Sequence, residues 1–158
     1  MPASPADSAI YRDLFSDQDT ARLFTDSAQI RAMLLVEGAL ARVQGRLGLI
    51  PETAAAYIER AAREIQIDPA ELAAETARNG VPVPGLIAAF RKAMQAPEHA
   101  QYLHWGATSQ DIMDSALALR LRRVTEIWNA RLTELARALA GLARDHAGQP
   151  AAAQLVRS

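Results

Sequence analysis

The sequence predicts an all-α protein. Apolar residues recur at three- and four-residue spacing over several long stretches, which is the period of an amphipathic helix. Alanine, leucine and arginine dominate the 158 residues, and aromatic residues make up only 5% of them, a composition that favours helix over sheet. No stretch of useful length alternates apolar and polar residues as a half-buried strand would.

The N-terminal part of the chain carries the first helix signals. Residues 1–26 are polar and turn-prone, and we expect them to run over the surface. Apolar spacing predicts a helix over residues 27–47, which Gly48 ends. Pro51 suits the start of the next helix, because the first turn of a helix does not need the N–H that proline lacks.

The middle of the chain alternates helix signals with breakers. The Asp-Pro pair at 68–69 predicts a capped short helix that ends at the Asn-Gly pair, 79–80. The Val-Pro-Val-Pro segment 81–84 is expected to be extended, because a residue before proline is pushed out of the helical region. A further helix is predicted from Gly85 to about Gln95, and Pro97 breaks it.

The last predicted helix is unusually long. No proline interrupts residues 109–148, which gives a rod of roughly 55 Å at 1.5 Å per residue, whereas a compact chain of this size is only about 40 Å across. We therefore expect its far end to pack on more chain or on another subunit, and we predict self-association through the apolar stripe that follows one face. The stripe comprises Met113, Leu117, Leu121, Val124, Trp128, Leu132, Leu135, Leu139 and Leu142.

Composition narrows the functional classes. A net charge of −1 provides no basic field, so we expect neither a nucleic-acid partner nor a membrane partner. No apolar window is long enough to span a bilayer, and the first residues lack the pattern of a secretory signal. The absence of cysteine excludes disulfides and cysteine-based zinc sites, and the three dispersed histidines do not read as a metal site. We expect a cytoplasmic protein without a metal.

Residues 104–111, His-Trp-Gly-Ala-Thr-Ser-Gln-Asp, concentrate the groups suited to chemistry just before the long helix. Thr108 or Ser109 followed by Asp111 is typical of a helix start. The first turn of a helix leaves N–H groups unpaired at the positive end of the dipole, so an anion can bind there with help from hydroxyl groups. Gly106 permits a close backbone approach or a positive φ. On the residues alone, simple capping without a ligand is the default interpretation.

The run HWGATSQDIMDSALALRLR resembles the signature of the fumarase/aspartase/adenylosuccinate lyase superfamily, in the form typical of 3-carboxy-cis,cis-muconate cycloisomerases. The Phe-Ser-Asp triplet at 15–17, the segment 33–51 and the loop 80–84 are also similar, so the likeness covers most of residues 15–147. It implies an N-terminal helical domain, residues 1–108, followed by the first long helix of a fumarase/aspartase-type central helix bundle, residues 109–158. It also implies a homotetramer.

The resemblance implies specific roles for the octet. His104 is the implied catalytic residue, either donating to a carboxylate or moving a proton, although a histidine that only orients the loop is an open alternative. Thr108, Ser109 and Gln110 are the implied substrate-binding residues, with Gln110 alternatively facing solvent.

Two further residues of the octet have implied supporting roles. They are Gly106, through its backbone, and Asp111, through stabilisation of the helix start.

The implied activity is closure of 3-carboxy-cis,cis-muconate to a carboxymuconolactone in protocatechuate degradation, without a metal or organic cofactor. Members of the superfamily carry two further signatures that this sequence lacks, so we expect little or no turnover from this chain by itself. Two alternatives stay open. One is an adenylosuccinate lyase-like or other fumarate-releasing lyase, and the other is a non-catalytic helical remnant.

Overall fold

The computed structural model describes residues 8–148, and all regular structure within them is helical, as predicted. The order is α1 (Arg12–Phe15), α2 (Gln18–Ala21), a 3-10 turn (Arg22–Phe24), α3 (Asp26–Arg46), α4 (Glu52–Glu64), a 3-10 turn (Pro69–Leu72), α5 (Ala73–Asn79), α6 (Val83–Met94), α7 (Pro97–Ala100) and α8 (Ser109–Asp145). The first residues of the predicted N-terminal domain, 1–7, and the last residues of the predicted bundle segment, 149–158, lie outside the described residues.

Two glycines bring α3 and α4 into close contact. A Cβ atom at Gly38 would lie 2.9 Å from the Cβ of Ala62, and one at Gly45 would lie even nearer to the Cβ of Ala55. Small residues on both helices therefore let the two backbones approach closely. This contact fixes the position of α3 relative to α4.

The core joins α3, α4, α6, the segment after α7 and the first turns of α8. Its largest fully buried apolar side chains are Met33, Leu34, Ile58, Val83, Leu86, Phe90, Leu103 and Ile112. Because Leu103 and Ile112 are both anchored in this core, the octet between them is held at its two ends.

The expectation for the Val-Pro-Val-Pro segment is wrong in part. Helix α6 begins at Val83 rather than Gly85, and Pro82 already has helical backbone angles, φ −79° and ψ −17°. Pro84 falls in the first turn, where no N–H is needed and the fixed φ of proline suits a helix. The restriction on a residue before proline is a bias that this first turn overcomes. The predicted stop after Asn79 is confirmed, because Gly80 has a φ of +73°.

Helix α8 has 37 residues and starts at Ser109, as predicted. The compact unit that contains α1 to α7 continues along α8 as far as Val124. In this unit the buried face of α8 carries Ile112, Ala116 and Val124, whereas Leu117 and Leu121 of the predicted stripe are exposed. The predicted boundary after residue 108 stays a prediction.

A second unit begins at Thr125 and contains the rest of α8. Its described apolar stripe residues are all exposed, namely Trp128, Leu132, Leu135, Leu139 and Leu142. Among residues 8–148 no helix combines the length and the apolar character needed to cross a membrane.

Candidate active site

The segment between α7 and α8 is tied to two helices through its backbone. The side-chain amide of Gln44 on α3 donates to the carbonyl oxygen of Trp105 at 2.7 Å. Arg91 on α6 donates from Nε to the carbonyl of Ala100 at 3.2 Å and from Nη2 to that of Leu103 at 3.0 Å. The carbonyl of Ala100 also accepts from the backbone N–H of Leu103 at 3.1 Å, and together these bonds fix the path of the chain on both sides of His104.

His104 is paired with a buried carboxyl group. Its Nδ1 lies 2.6 Å from Oε1 of Glu37, whose side chain is 0% exposed. The other carboxyl oxygen of Glu37, Oε2, has no hydrogen-bond partner among the described residues. Burial raises the pKa of Glu37 above its ordinary value of 4.5, although the hydrogen bond and charge of His104 and the charge of Arg91 act in the opposite direction.

His104 and Gly106 both have left-handed backbone conformations, with φ of +61° and +66°. A positive φ is costly for a side chain as large as histidine, and the bond to Glu37 accompanies that conformation. At Gly106 no described atom lies within 4 Å of the place a Cβ would occupy. Its requirement is therefore the positive φ and not a close approach of neighbouring atoms.

Three polar side chains converge on one cleft of about 310 Å³. The residues that line it are Arg91, His104 and Ser109, together with the apolar residues Val83, Pro84, Ile87 and Ala88. Ser109 is the first residue of α8, so the positive end of the helix dipole lies at the same wall. A cation, an imidazole, a hydroxyl and a helix N-terminus together form an arrangement suited to a carboxylate.

The remaining octet residues lie outside this wall. The backbone N–H of Thr108 donates to Oδ2 of Asp111 at 3.0 Å, which is the return bond of a capping box at the start of α8. Gln110 donates its side-chain amide to Oδ1 of Asp114 at 2.6 Å. Thr108, Gln110 and Asp111 are exposed, and the implied contacts of Thr108 and Gln110 with substrate stay predictions.

Sequence reasoning missed Glu37, Gln44 and Arg91. One signal for Glu37 was present, because a charged residue occupies the helical face that also carries Met33 and Ala41, four residues away on each side. A lone acid on an apolar face indicates a buried partner. No local signal distinguishes Arg91 from the neighbouring Lys92, since only the packing of α6 beside the octet gives Arg91 its role.

Known proteins resemble this chain in fold and in sequence. The crystal structure of 3-carboxy-cis,cis-muconate lactonizing enzyme from Pseudomonas putida matches with a TM-score of 0.86 and 34% identity, over 94% of this chain and 34% of that one. 3-Carboxy-cis,cis-muconate cycloisomerase of Pseudomonas aeruginosa is 42% identical over 132 residues, which are 82% of this chain and 29% of the relative. Nitrosuccinate lyase of Streptomyces davaonensis is 38% identical over 152 residues, 95% of this chain and 32% of the relative. No protein-family model matches the chain.

In fold and sequence, the chain is homologous to helical lyases and cycloisomerases of the fumarase/aspartase superfamily. Within that superfamily it is homologous to 3-carboxy-cis,cis-muconate cycloisomerase, as its octet predicted. The chain spans about a third of the length of the relatives it matches.

Proposed function

We propose that this chain supplies a carboxylate-binding segment of a 3-carboxy-cis,cis-muconate cycloisomerase. The observation that carries the proposal is the convergence of Arg91, His104 and Ser109 on one cleft at the start of α8. The substrate is a tricarboxylate, and each carboxylate needs charge-assisted donors in a site that excludes water. The cycloisomerase relatives and the structural neighbour support this activity over the other activities of the superfamily.

The reaction defines what the cleft contributes. Lactone closure adds a carboxylate oxygen across a carbon–carbon double bond and places a proton on carbon, so it requires anchored carboxylates and a group that moves a proton. Ser109 donates its hydroxyl and α8 its free N–H groups to one substrate carboxylate. Arg91 supplies positive charge, and His104 donates to the same carboxylate or moves the proton. Thr108 and Gln110 contact the substrate from the exposed rim.

Binding is the step that this chain can perform by itself. Titration of 3-carboxy-cis,cis-muconate into the ¹⁵N-labelled protein is expected to shift backbone amides of the octet, with a weak Kd of the order of millimolar. Ser109→Ala is expected to remove these shifts, whereas Ser115→Ala, an exposed serine further along α8, leaves them unchanged. Unchanged octet amides at millimolar ligand (a rough upper limit for weak sites) would leave Thr108 and Ser109 as helix caps only.

Turnover is tested separately, by the loss of diene absorbance when the chain is incubated with 3-carboxy-cis,cis-muconate. We expect absent or very slow turnover from these residues by themselves, because they span only about a third of the length of the relatives they match. Full turnover would refute that expectation but support the activity. Binding without turnover fits a segment of a larger site, and the absence of both supports the non-catalytic alternative.

A fumarate-releasing lyase is the second candidate, and the likeness to nitrosuccinate lyase over 95% of this chain favours it. The discriminating measurement is competition at the cleft between the tricarboxylate and a four-carbon dicarboxylate such as succinate. Preference for the tricarboxylate supports the cycloisomerase, and preference for the dicarboxylate supports the lyase.

The proposal includes a cytoplasmic homotetramer. The exposed apolar side chains of α8 from Leu117 to Leu142 form the surface through which copies would associate. A lack of cysteine suits the reducing cytoplasm.

A further inference from the structure

We propose that Glu37 is the positioning residue of His104, committing Nδ1 to the protein interior so that Nε2 alone serves a ligand in the cleft. This inference extends the proposed function, because it assumes that His104 faces a bound carboxylate. It assigns a role to a carboxyl group that the carboxylate-binding wall itself does not use.

The contact with Glu37 engages one ring nitrogen of His104 and leaves the other for a ligand. The 2.6 Å separation between Nδ1 and Oε1 of Glu37 is a strong hydrogen bond between two titratable groups. Within residues 8–148 the side chain of His104 makes no other hydrogen bond, so Nε2 is left for a ligand in the cleft that His104 helps to line. The hydrogen bond at one imidazole nitrogen decides which nitrogen carries the proton and how the ring is oriented.

The position of Glu37 is costly for a group with only a structural purpose. Its side chain is fully buried among apolar residues, and Oε2 lacks any hydrogen-bond partner within the described part of the chain. A well-packed apolar side chain of similar volume often serves stability equally well or better at such a position. The acid therefore serves a purpose other than stability, and the hydrogen-bond partner of its side chain among the described residues is His104.

The consequence for the ligand is electrostatic as well as geometric. When Nε2 takes up a proton to donate to a carboxylate, Glu37 lies directly behind the ring to balance the positive charge. Arg91 is the other charged side chain at this wall, and it attracts the ligand from α6. A histidine held between an internal acid and a bound anion is thereby prepared to donate a hydrogen bond or to give up a proton at Nε2.

The test measures the protonation of Nδ1 directly. Long-range ¹H–¹⁵N correlation spectra of the labelled chain are recorded at about pH 9, above the ordinary histidine range. The variants are Glu37→Met, which removes the acceptor at similar size, and Gln44→Leu, which removes a different bond between α3 and the same loop. His99, whose ring packs on Tyr57, provides an internal reference in each spectrum.

We expect Nδ1 of His104 to be protonated in the original chain and in Gln44→Leu, and substantially less so in Glu37→Met. We also expect Glu37→Met to weaken the binding of tricarballylate, a stable tricarboxylate probe, by about 10-fold, at the lower end of effects seen for partners that orient ligating histidines.

An unprotonated Nδ1 in the original chain overturns the inference, and that result is available even if Glu37→Met does not fold. An equal loss of Nδ1 protonation and of tricarballylate binding in Gln44→Leu also overturns it, because loosening of the loop would then explain both effects. If tricarballylate does not bind the original chain, the proposed function fails, whereas the Nδ1 spectrum still decides the role of Glu37.

Discussion

Arg91 donates from its guanidinium to the carbonyl oxygen of Leu103, 3.0 Å away, and is also one of the residues that line the cleft beside His104. One side chain therefore fixes the backbone that presents the imidazole and supplies positive charge to the same site. The structural and electrostatic roles of Arg91 can be measured separately, because lysine keeps the positive charge of arginine but not its planar fork of donors.

Arg91→Lys is expected to keep the charge but lose the fork that reaches two carbonyls. We expect a stability loss of about 1–2 kcal/mol in urea unfolding, since hydrogen bonds from a charged donor are lost at a partly buried site. Arg91→Met should lose a similar amount and in addition weaken tricarboxylate binding. Lys92→Met, at a neighbouring exposed residue, is the control for the loss of one positive charge. An equal weakening of tricarboxylate binding in Lys92→Met would contradict a specific role for Arg91.

Gly38→Ala is expected to destabilise the fold by about 1–3 kcal/mol, the range for overpacking a dense contact. The physical reason is that the new Cβ would meet Ala62 at 2.9 Å, which forces α3 and α4 apart. Gly141→Ala is the matched control, because this glycine also lies in a helix but has no described atom within 4 Å of its Cβ position. There we expect a small gain, up to about 1 kcal/mol, from helix propensity. Equal effects at both glycines would argue against the close contact.

Asp111→Asn is expected to cost about 0.5–1 kcal/mol by weakening the bond to the N–H of Thr108 and removing a negative charge from the positive end of α8. Asp145→Asn, at the other end of α8, removes the same charge where the dipole disfavours it, so no loss of helicity is expected there. Circular dichroism and urea unfolding measure both effects. A loss of the same sign at the two ends would show that the dipole and the capping bond do not operate as described.

The buried acid predicts a defined dependence of stability on pH. Because the pKa of Glu37 is raised in the folded state, the folded protein binds more protons than the unfolded chain at pH values above 4.5, so stability falls as the pH rises towards the folded pKa. Glu37→Met removes this contribution. The unfolding free energy of the original chain minus that of Glu37→Met should therefore decrease as the pH rises from about 4.5. A difference independent of pH would contradict the direction of the shift.

The exposed stripe of α8 predicts self-association. Leu135→Arg is expected to shift the chain towards monomer in sedimentation velocity experiments at tens of micromolar (order of magnitude), since it places a charge in an apolar contact surface. Ala130→Arg adds the same charge to the opposite side of α8 and should leave the assembly unchanged. A clean monomer for the unaltered chain would refute the assembly directly.

The sequence by itself determined the secondary structure well, because helix formation depends on local spacing and on local caps. The periodicity over residues 27–47 and the start of the long helix at Ser109 were both readable, since the period of 3.6 residues and the capping pattern act within one or two turns. The prediction failed at Val83, where two local influences compete. A residue before proline is biased away from helix, but the first turn of a helix tolerates proline, and here helix forms.

Only the tertiary structure decided which groups meet at the cleft. Glu37 and His104 are 67 residues apart in the chain, and no local rule connects them. Their contact depends on how the loop before α8 lies against α3, and the bonds from Gln44 and Arg91 fix the backbone on either side of His104. Convergence of side chains is a property of how helices pack, and packing depends on the shapes of all the contacting residues together. The octet predicted a site. The packing of the helices places His104 and Ser109, and not Thr108 or Gln110, among the residues that line the cleft.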